Sequence, residues 1–449
     1  MESLKVSDIN KYLLYYFNKQ NLNFDIIKGN INKIVNILKN ITLNTNRHQY
    51  LSLSCIFGGF LGDSIGGNSE FSSPSGINYK AIFNVKNSKR FLPGEITDDS
   101  EMGMSAGFAY MDAKNENDPR IQDLIFYHLG MWKESHPKDM GNTTFNSLKY
   151  FSSSNSIETT KYGTAIKSII EKENWNSLSN GVLMRISTFI VFYYYTNYNK
   201  IYSVINDYFS SNNGKELTNN LMDLFFHIFN RVYLNAQITH PNPEVSVSAS
   251  VFCLMVLTGM IRNNAKDIYL LFKTISFSNK FININGDAAF NQYAKITQKK
   301  FVEIIKEIEN NKKIFVYHPM GYYLHGLKLS VYFLYKIMKS GDLIENNLYY
   351  NIMCEICNLG GDTDTNCAIV GTIIGPLVGY HNFPKDLFEK FIHFFPMQRT
   401  QFTSAFMYFY VNYLEEKYLK KSYTSKTGEE GINKYPSFIK LIEFSTKNI

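Results

Sequence analysis

The chain has 449 residues, a formal net charge of +7, 45% hydrophobic residues and 19% charged ones. That apolar fraction can build a large core and excludes wholesale disorder. The small positive surplus, spread over this length, is too diffuse for a nucleic-acid-binding stripe.

Residues 1–45 are polar and Asn-rich, with apolar-periodic patches at 12–17 and 31–38 that fit two short helices on the outside of a larger body. The first 20 residues mix Glu, Lys and Asp with Tyr and Leu, and do not predict a secretory leader. From about residue 47 the apolar spacing is helical, with few alternating stretches of the strand type. The clearest helices fall at 50–65, 100–111, 121–132, 183–194, 246–261, 324–338 and 365–378. Gly-containing or polar breaks separate them at 66–76, 138–144, 174–181, 240–243 and 360–363. Surface loops are expected at 211–215 and 310–313, and the charged run 420–431 reads as a loop. The pattern predicts an all-α catalytic domain over 46–416, an N-terminal helical extension over 1–45 and a C-terminal extension over 417–449.

The longest apolar runs, 247–261 and 368–380, fall short of the roughly 20 residues that span a bilayer, so no membrane partner is expected. Cys55, Cys253, Cys354, Cys357 and Cys367 make an odd count in apolar stretches. They read as reduced core thiols of a cytoplasmic protein. Cys354 and Cys357 lack a second pair or a nearby His at zinc spacing.

Two segments concentrate acids in this charge-poor chain: Gly94-Glu95-Ile96-Thr97-Asp98-Asp99-Ser100 and Gly360-Gly361-Asp362-Thr363-Asp364-Thr365. Each joins a Gly-containing loop to an apolar helix, where an acid can cap the helix and complement its dipole. Adjacent carboxylates repel unless a positive charge neutralises them. Carboxylate and hydroxyl oxygens without clustered Cys or His suit a hard cation, Mg²⁺ or Mn²⁺. If the two clusters face each other, their carboxylates suffice for two ions.

Three further segments carry weaker signals. Asp139-Met140-Gly141-Asn142-Thr143-Thr144 reads as a cap before a helix near Phe145, and Asn180-Gly181-Val182-Leu183-Met184-Arg185 as an Asn-Gly turn whose Gly permits close approach of a ligand. Thr239-His240-Pro241 reads as a helix end in which His240 acts as a cap.

Taken in order, these segments resemble the ADP-ribosylglycohydrolase family, the helical enzymes related to dinitrogenase-reductase-activating glycohydrolase and ADP-ribosylarginine hydrolase. The blocks run from Gly62-Asp63-Ser64-Ile65-Gly66 with Glu70-Phe71, through Thr97-Asp98-Asp99-Ser100-Glu101-Met102, to Gly360-Gly361-Asp362-Thr363-Asp364-Thr365-Asn366. They look more like the bacterial members than the animal ones.

The resemblance implies an all-α, orthogonal multi-helix fold with a di-metal cleft. It implies that Thr97, Asp98 and Asp99 hold two Mg²⁺ ions from one side (Mn²⁺ being an alternative), and that Asp362, Asp364 and Thr365 hold them from the other. It makes Glu70 the acid that completes or gates that site, and Asp139 the acid near the scissile bond. Gly141, Asn142, Thr143, Asn180, Gly181, Met184 and His240 are implied to line an ADP-ribose cleft. Asp63 reads as structural, satisfying backbone donors of the Gly66-Gly67 loop. Ser179 stands where the family often has Gly.

The activity implied is hydrolysis of ADP-ribose from protein side chains, arginine being favoured over serine, with an ADP-ribosylated protein or small ADP-ribose derivative as partner. Competing classes are a non-catalytic ADP-ribose-binding protein and a hydrolase of another ADP-ribose derivative. The sequence leaves the oligomeric state open.

Overall fold

The structure is a computed structural model and describes residues 24–74, 91–151, 162–212, 215–282, 288–342, 344, 347–394 and 404–420. Its helices, in chain order, are α1 (Phe24–Asn40), α2 (Arg47–Gly66), α3 (Asp98–Asp112), α4 (Ile121–Glu134), α5 (Asn142–Leu148), α6 (Gly163–Ser168), α7 (Ser187–Asn212) and α8 (Asn219–Ala236). They continue with α9 (Pro243–Arg262), α10 (Ala265–Phe277), α11 (Ala288–Glu309), α12 (Leu324–Lys339), α13 (Leu348–Leu359), α14 (Thr363–Val378), α15 (Lys385–His393) and α16 (Met407–Leu414). Among the described residues there is no strand, only an isolated bridge between Ser179 and Tyr322. The fold is all-α.

Six predicted stretches fall inside α2, α3, α4, α9, α12 and α14. The seventh starts late: α7 begins at Ser187, and 181–186 is a turn. Val182, Leu183, Met184 and Ile186 are apolar because the turn is buried, so their hydrophobicity imitates a helix that is absent. At 142–148 the reverse holds, with α5 starting at Asn142 ahead of the expected Phe145. Helix α11 escapes the apolar reading because it is polar over most of its surface. It buries one stripe, including Phe301, Ile304, Ile305 and Ile308.

Helices α2 and α14 pack backbone to backbone along the centre. A Cβ on Gly58 would lie 2.3 Å from the Gly371 carbonyl oxygen, and one on Gly62 2.3 Å from that of Cys367. Only hydrogen at these positions lets the two axes come so close. The consequence for the site is positional, because the last turn of α2 is held rigidly against the first turn of α14. Helix α9 is long and apolar enough for a membrane span, yet 94% of its apolar window is buried inside the protein. It is a core helix, packed on α7, α8, α10 and α11.

Helix α1 buries Ile31, Ile34 and Leu38 against the main body. Tyr380 fastens it there, its hydroxyl donating to the carbonyls of Leu38 (2.6 Å) and Ile41 (2.9 Å). The patch at 12–17 and the run 421–449 lie outside the described residues. All five cysteines are free thiols; Cys357 and Cys367 Sγ stand 3.8 Å apart in the core.

Candidate active site

Three helix ends converge: the C-terminus of α2 and the N-termini of α3 and α14. After α2 the chain turns back, and Phe71 N–H donates to Gly361 O (2.7 Å) while Gly361 N–H donates to Ser72 O (2.9 Å). This reciprocal pair sets Glu70 beside the start of α14. The first N–H groups of a helix lack intrahelical acceptors. At α3 the Asp63 carboxylate supplies them, accepting from Thr97 N (3.2 and 3.1 Å), Ser100 N (3.1 Å) and the Thr97 hydroxyl (2.7 Å). The sequence reading of Asp63 needs correction here. It is structural, but the donors it satisfies belong to α3, because the loop donor Gly67 N already bonds the Asp63 carbonyl at 2.9 Å.

Oxygens of Asp63, Asp99 and Asp364 lie within 4.8 Å of one another, and so do those of Glu70, Asp362 and Asp364. Asp364 belongs to both triples. Thr365 donates its hydroxyl to Asp99 Oδ1 (3.2 Å), and Asp99 Oδ2 is buried without a hydrogen-bond partner. Thr363 faces away, its hydroxyl donating to Gly66 O (2.7 Å). So the alternation in Asp362-Thr363-Asp364-Thr365 divides into three cleft-facing residues and one that closes α2. Asp98 lines the same cleft but belongs to neither triple.

Burial raises the pKa of Asp63, Asp98, Asp99 and Asp364; neighbouring acids add to the rise at the last three, whereas hydrogen bonds from Thr97 and Ser100 oppose it at Asp63. Asp98 is pushed to about 8, chiefly by burial and then by Asp139, and Asp63 to about 6. Asp99 and Asp364 are also raised well above the carboxylate range, by burial and then by neighbouring acids. Carboxylates this crowded need protons or a cation. A buried, unpartnered carboxylate oxygen within an all-oxygen donor set fits a hard divalent ion.

The acidic floor opens into a cleft of about 390 Å³. Asp139, Gly141, Asn142 and Thr143 line it from the α5 side, Asn180, Gly181 and Met184 from the turn before α7, and His240 from beyond α8. The structure therefore brings together every site residue singled out in the sequence except Thr97. Thr97 sits behind the carboxylates, with its hydroxyl engaged by Asp63 and by Asp99 N (3.4 Å). Nor does the His240 ring cap the helix end: it is buried, with Nδ1 2.9 Å from Thr239 Oγ1 and Nε2 2.7 Å from Ser179 Oγ. A Cβ on Gly181 would lie 2.4 Å from His240 Cε1, so this glycine is set by the approach of the ring.

Phe71, Thr144, Ser179, Met320 and Gly321 also line the cleft and were not proposed from the sequence as site residues. Met320 and Gly321 come from the 315–323 connection. Gly321 O accepts from Asn180 N (2.9 Å) and Leu178 O from Tyr323 N (3.0 Å). The one local signal for them is the turn composition of Pro319-Met320-Gly321.

Residues 45–407 match the family model described as ADP-ribosylglycohydrolase. The chain belongs to the ADP-ribosylglycohydrolase family. A protein of Acanthamoeba polyphaga mimivirus, named "Putative ADP-ribosyl glycohydrolase", is 25% identical over 355 residues, covering 75% of this chain and 89% of that one. A solved structure described as an ADP-ribosylglycohydrolase-related protein complex aligns over 77% of this chain and 97% of its own, at 14% identity and a TM-score of 0.45. The family makes this chain a glycosidic-bond hydrolase that acts on ADP-ribosylated substrates, and its acidic cluster is suited to metal.

Proposed function

We propose that the chain is a Mg²⁺-dependent hydrolase that releases ADP-ribose from ADP-ribosylated protein side chains, arginine being the favoured acceptor. The observation that carries this reading is the pair of carboxylate triples sharing Asp364 on the floor of the cleft. Asp99, Asp362, Asp364 and Glu70 are the carboxylates placed to hold ions, with Thr365 beside Asp99 and Asp63 behind them bonded to the start of α3. A bound divalent ion supplies charge that orients ribose hydroxyls and makes water acidic enough to attack near neutral pH.

The bond to be broken lies at the anomeric carbon of the distal ribose, and its cleavage passes through an oxocarbenium-like state. Positive charge develops there, so Asp98 and Asp99 compensate it electrostatically. Glu70, half-buried at the cleft mouth, is placed to orient the water and take its proton. Asp139 stands across the cleft and holds a departing guanidinium by a charge-assisted pair. Asn180, Gly181 and Met184 on one side, with Gly141, Asn142 and Thr143 on the other, form the walls against which ADP-ribose lies.

The deciding experiment is release of free ADP-ribose from ADP-ribosyl-arginine and ADP-ribosyl-serine peptides, with and without Mg²⁺, by the wild type and Asp362→Asn. Mg²⁺-dependent release that the substitution abolishes supports the reading, and the better peptide identifies the linkage. Undiminished turnover of the arginine peptide by Asp139→Asn would remove Asp139 from its role. Absence of release from both peptides would overturn the hydrolase reading for these linkages.

A further inference from the structure

Arg185 is a member of the sequence blocks that the acidic site leaves unexplained. It is 1% exposed. Its Nε donates to Gly181 O (3.1 Å), and one terminal nitrogen donates to Asn235 O (3.2 Å) and to Thr239 Oγ1 (3.0 Å). The other terminal nitrogen is buried without a hydrogen-bond partner. No carboxylate takes part in these contacts. A guanidinium is costly to bury, and burial lowers its pKa to about 10, which still leaves it charged at neutral pH.

What the charge touches next is the cleft wall. Thr239 Oγ1 stands 2.9 Å from His240 Nδ1, and His240 Nε2 stands 2.7 Å from Ser179 Oγ. Ser179 Oγ continues to Ser177 Oγ (3.2 Å) and Thr143 Oγ1 (3.4 Å). His240, Ser179 and Thr143 all line the cleft, whereas Arg185 and Thr239 do not.

The direction of this chain follows from which atoms can donate. Arginine donates only, so the Thr239 oxygen is an acceptor toward it. The Thr239 side chain is fully buried, and its hydroxyl proton has one acceptor in reach, His240 Nδ1. The alternative, Nδ1–H donating to Thr239, would orphan that hydroxyl proton in the core, where unmade hydrogen bonds are costly. With Nδ1 accepting, the ring proton resides on Nε2 and is donated to Ser179 Oγ. Ser179 then donates its one hydroxyl proton toward Thr143 Oγ1.

We propose that Arg185 is a positioning residue that acts through Thr239 to fix His240 as the Nε2–H tautomer, making the ring a hydrogen-bond donor to Ser179 in the cleft wall and withholding it from service as a base. This assigns Ser179 a use as well. Its hydroxyl receives the ring proton, which a glycine there could not do. Burial, and secondarily the Arg185 charge, push the His240 pKa down to about 3, which keeps the ring neutral in the working range. The connection to ADP-ribose rests on the function proposed above, whereas the tautomer itself is independent of it.

The test is long-range ¹⁵N–¹H correlation on protein carrying ¹⁵N-histidine, with the His240 signals assigned by their loss in His240→Gln. The expected wild-type spectrum has a bare, pyridine-type nitrogen at Nδ1 and a protonated one at Nε2. Thr239→Val, nearly the same shape without the hydroxyl, is expected to lose that pattern and to weaken ADP-ribose binding about tenfold, as for one lost hydrogen bond. Thr239→Ser is expected to restore both. Arg185→Lys, which keeps a donor and a charge, is expected to shift the tautomer less than Arg185→Met. A protonated Nδ1 in the wild type, or an unchanged spectrum in Thr239→Val, overturns the inference. The spectrum requires no substrate, so a bare Nδ1 without ADP-ribose release from any peptide sustains the positioning role while defeating the hydrolase reading.

Discussion

Asn180 Nδ2 donates to Asp362 Oδ2 at 2.6 Å, joining the turn before α7 to the acidic start of α14 across 182 positions of sequence. A neutral donor thereby holds one of the crowded carboxylates in place without neutralising its charge. Hydrogen bonds to ionised groups contribute roughly 1.5–3 kcal/mol. Asn180→Ala is therefore expected to lower kcat/KM for ADP-ribose release about tenfold to a hundredfold and to raise the Mg²⁺ concentration required. Asn180→Asp, which sets a further carboxylate against Asp362, should be worse than Asn180→Ala in the same assay. Equal activity of Asn180→Ala and wild type at limiting Mg²⁺ would refute the coupling.

Because burial and the neighbouring acids raise the pKa values of Asp98, Asp99 and Asp364, a divalent ion is expected to displace protons when it binds. Calorimetry of Mg²⁺ binding in buffers of different ionisation enthalpy should show proton release near pH 7. Asp364→Asn removes the one carboxylate common to both triples and is expected to abolish the binding heat. Binding without proton release would contradict the raised pKa values.

His240 supplies a pH signature with a definite sign. Its folded pKa is depressed to about 3, below the ordinary value of 6.5, so the unfolded state binds more protons between those pH values. The contribution to stability is complete above pH 6.5 and is lost as pH falls toward about 3. Denaturant titrations of wild type and His240→Gln should therefore converge as the pH is lowered from 7 through 5. A gap that stays constant across this range would show that His240 is not held neutral by burial.

Close approach makes two glycines unforgiving in different ways. Gly62→Ala aims a methyl at the Cys367 carbonyl oxygen, 2.3 Å away in backbone that cannot retreat without parting α2 from α14. The expected loss of stability is about 3 kcal/mol or more, read as a lowered urea midpoint. In Gly181→Ala the methyl meets the His240 ring at 2.4 Å instead. A side chain can shift, so the expected cost is about 1–3 kcal/mol, together with a raised KM.

Legibility of the site in the sequence followed the range of the interactions. The Thr97-Asp98-Asp99 and Asp362-to-Thr365 clusters were readable because adjacent acids at a loop-to-helix junction are costly enough to need a chemical reason. Which of them face the cleft was not readable. Thr97 and Thr365 look alike in sequence, yet one hydroxyl is turned to Asp63 and the other to Asp99. Ser179 passed as a departure from the family pattern because its partner, His240, lies 61 residues away. The stretch 183–186 has the sequence pattern of a helix yet is a buried turn, because burial, like helical periodicity, selects apolar residues.

The sequence by itself determined the helical class, the family and the chemical character of the site, since apolar spacing, glycine-marked breaks and oxygen-bearing side chains are properties of short segments. The tertiary structure alone decided that Asp364 belongs to both carboxylate triples, that Asp63 serves the donors of α3, and that Arg185 reaches the cleft through Thr239 and His240. Those relations depend on the closeness of α2 to α14 and on the burial of a charge among neutral partners. Both arise from contacts between segments whose separation in the chain carries no trace of their separation in space.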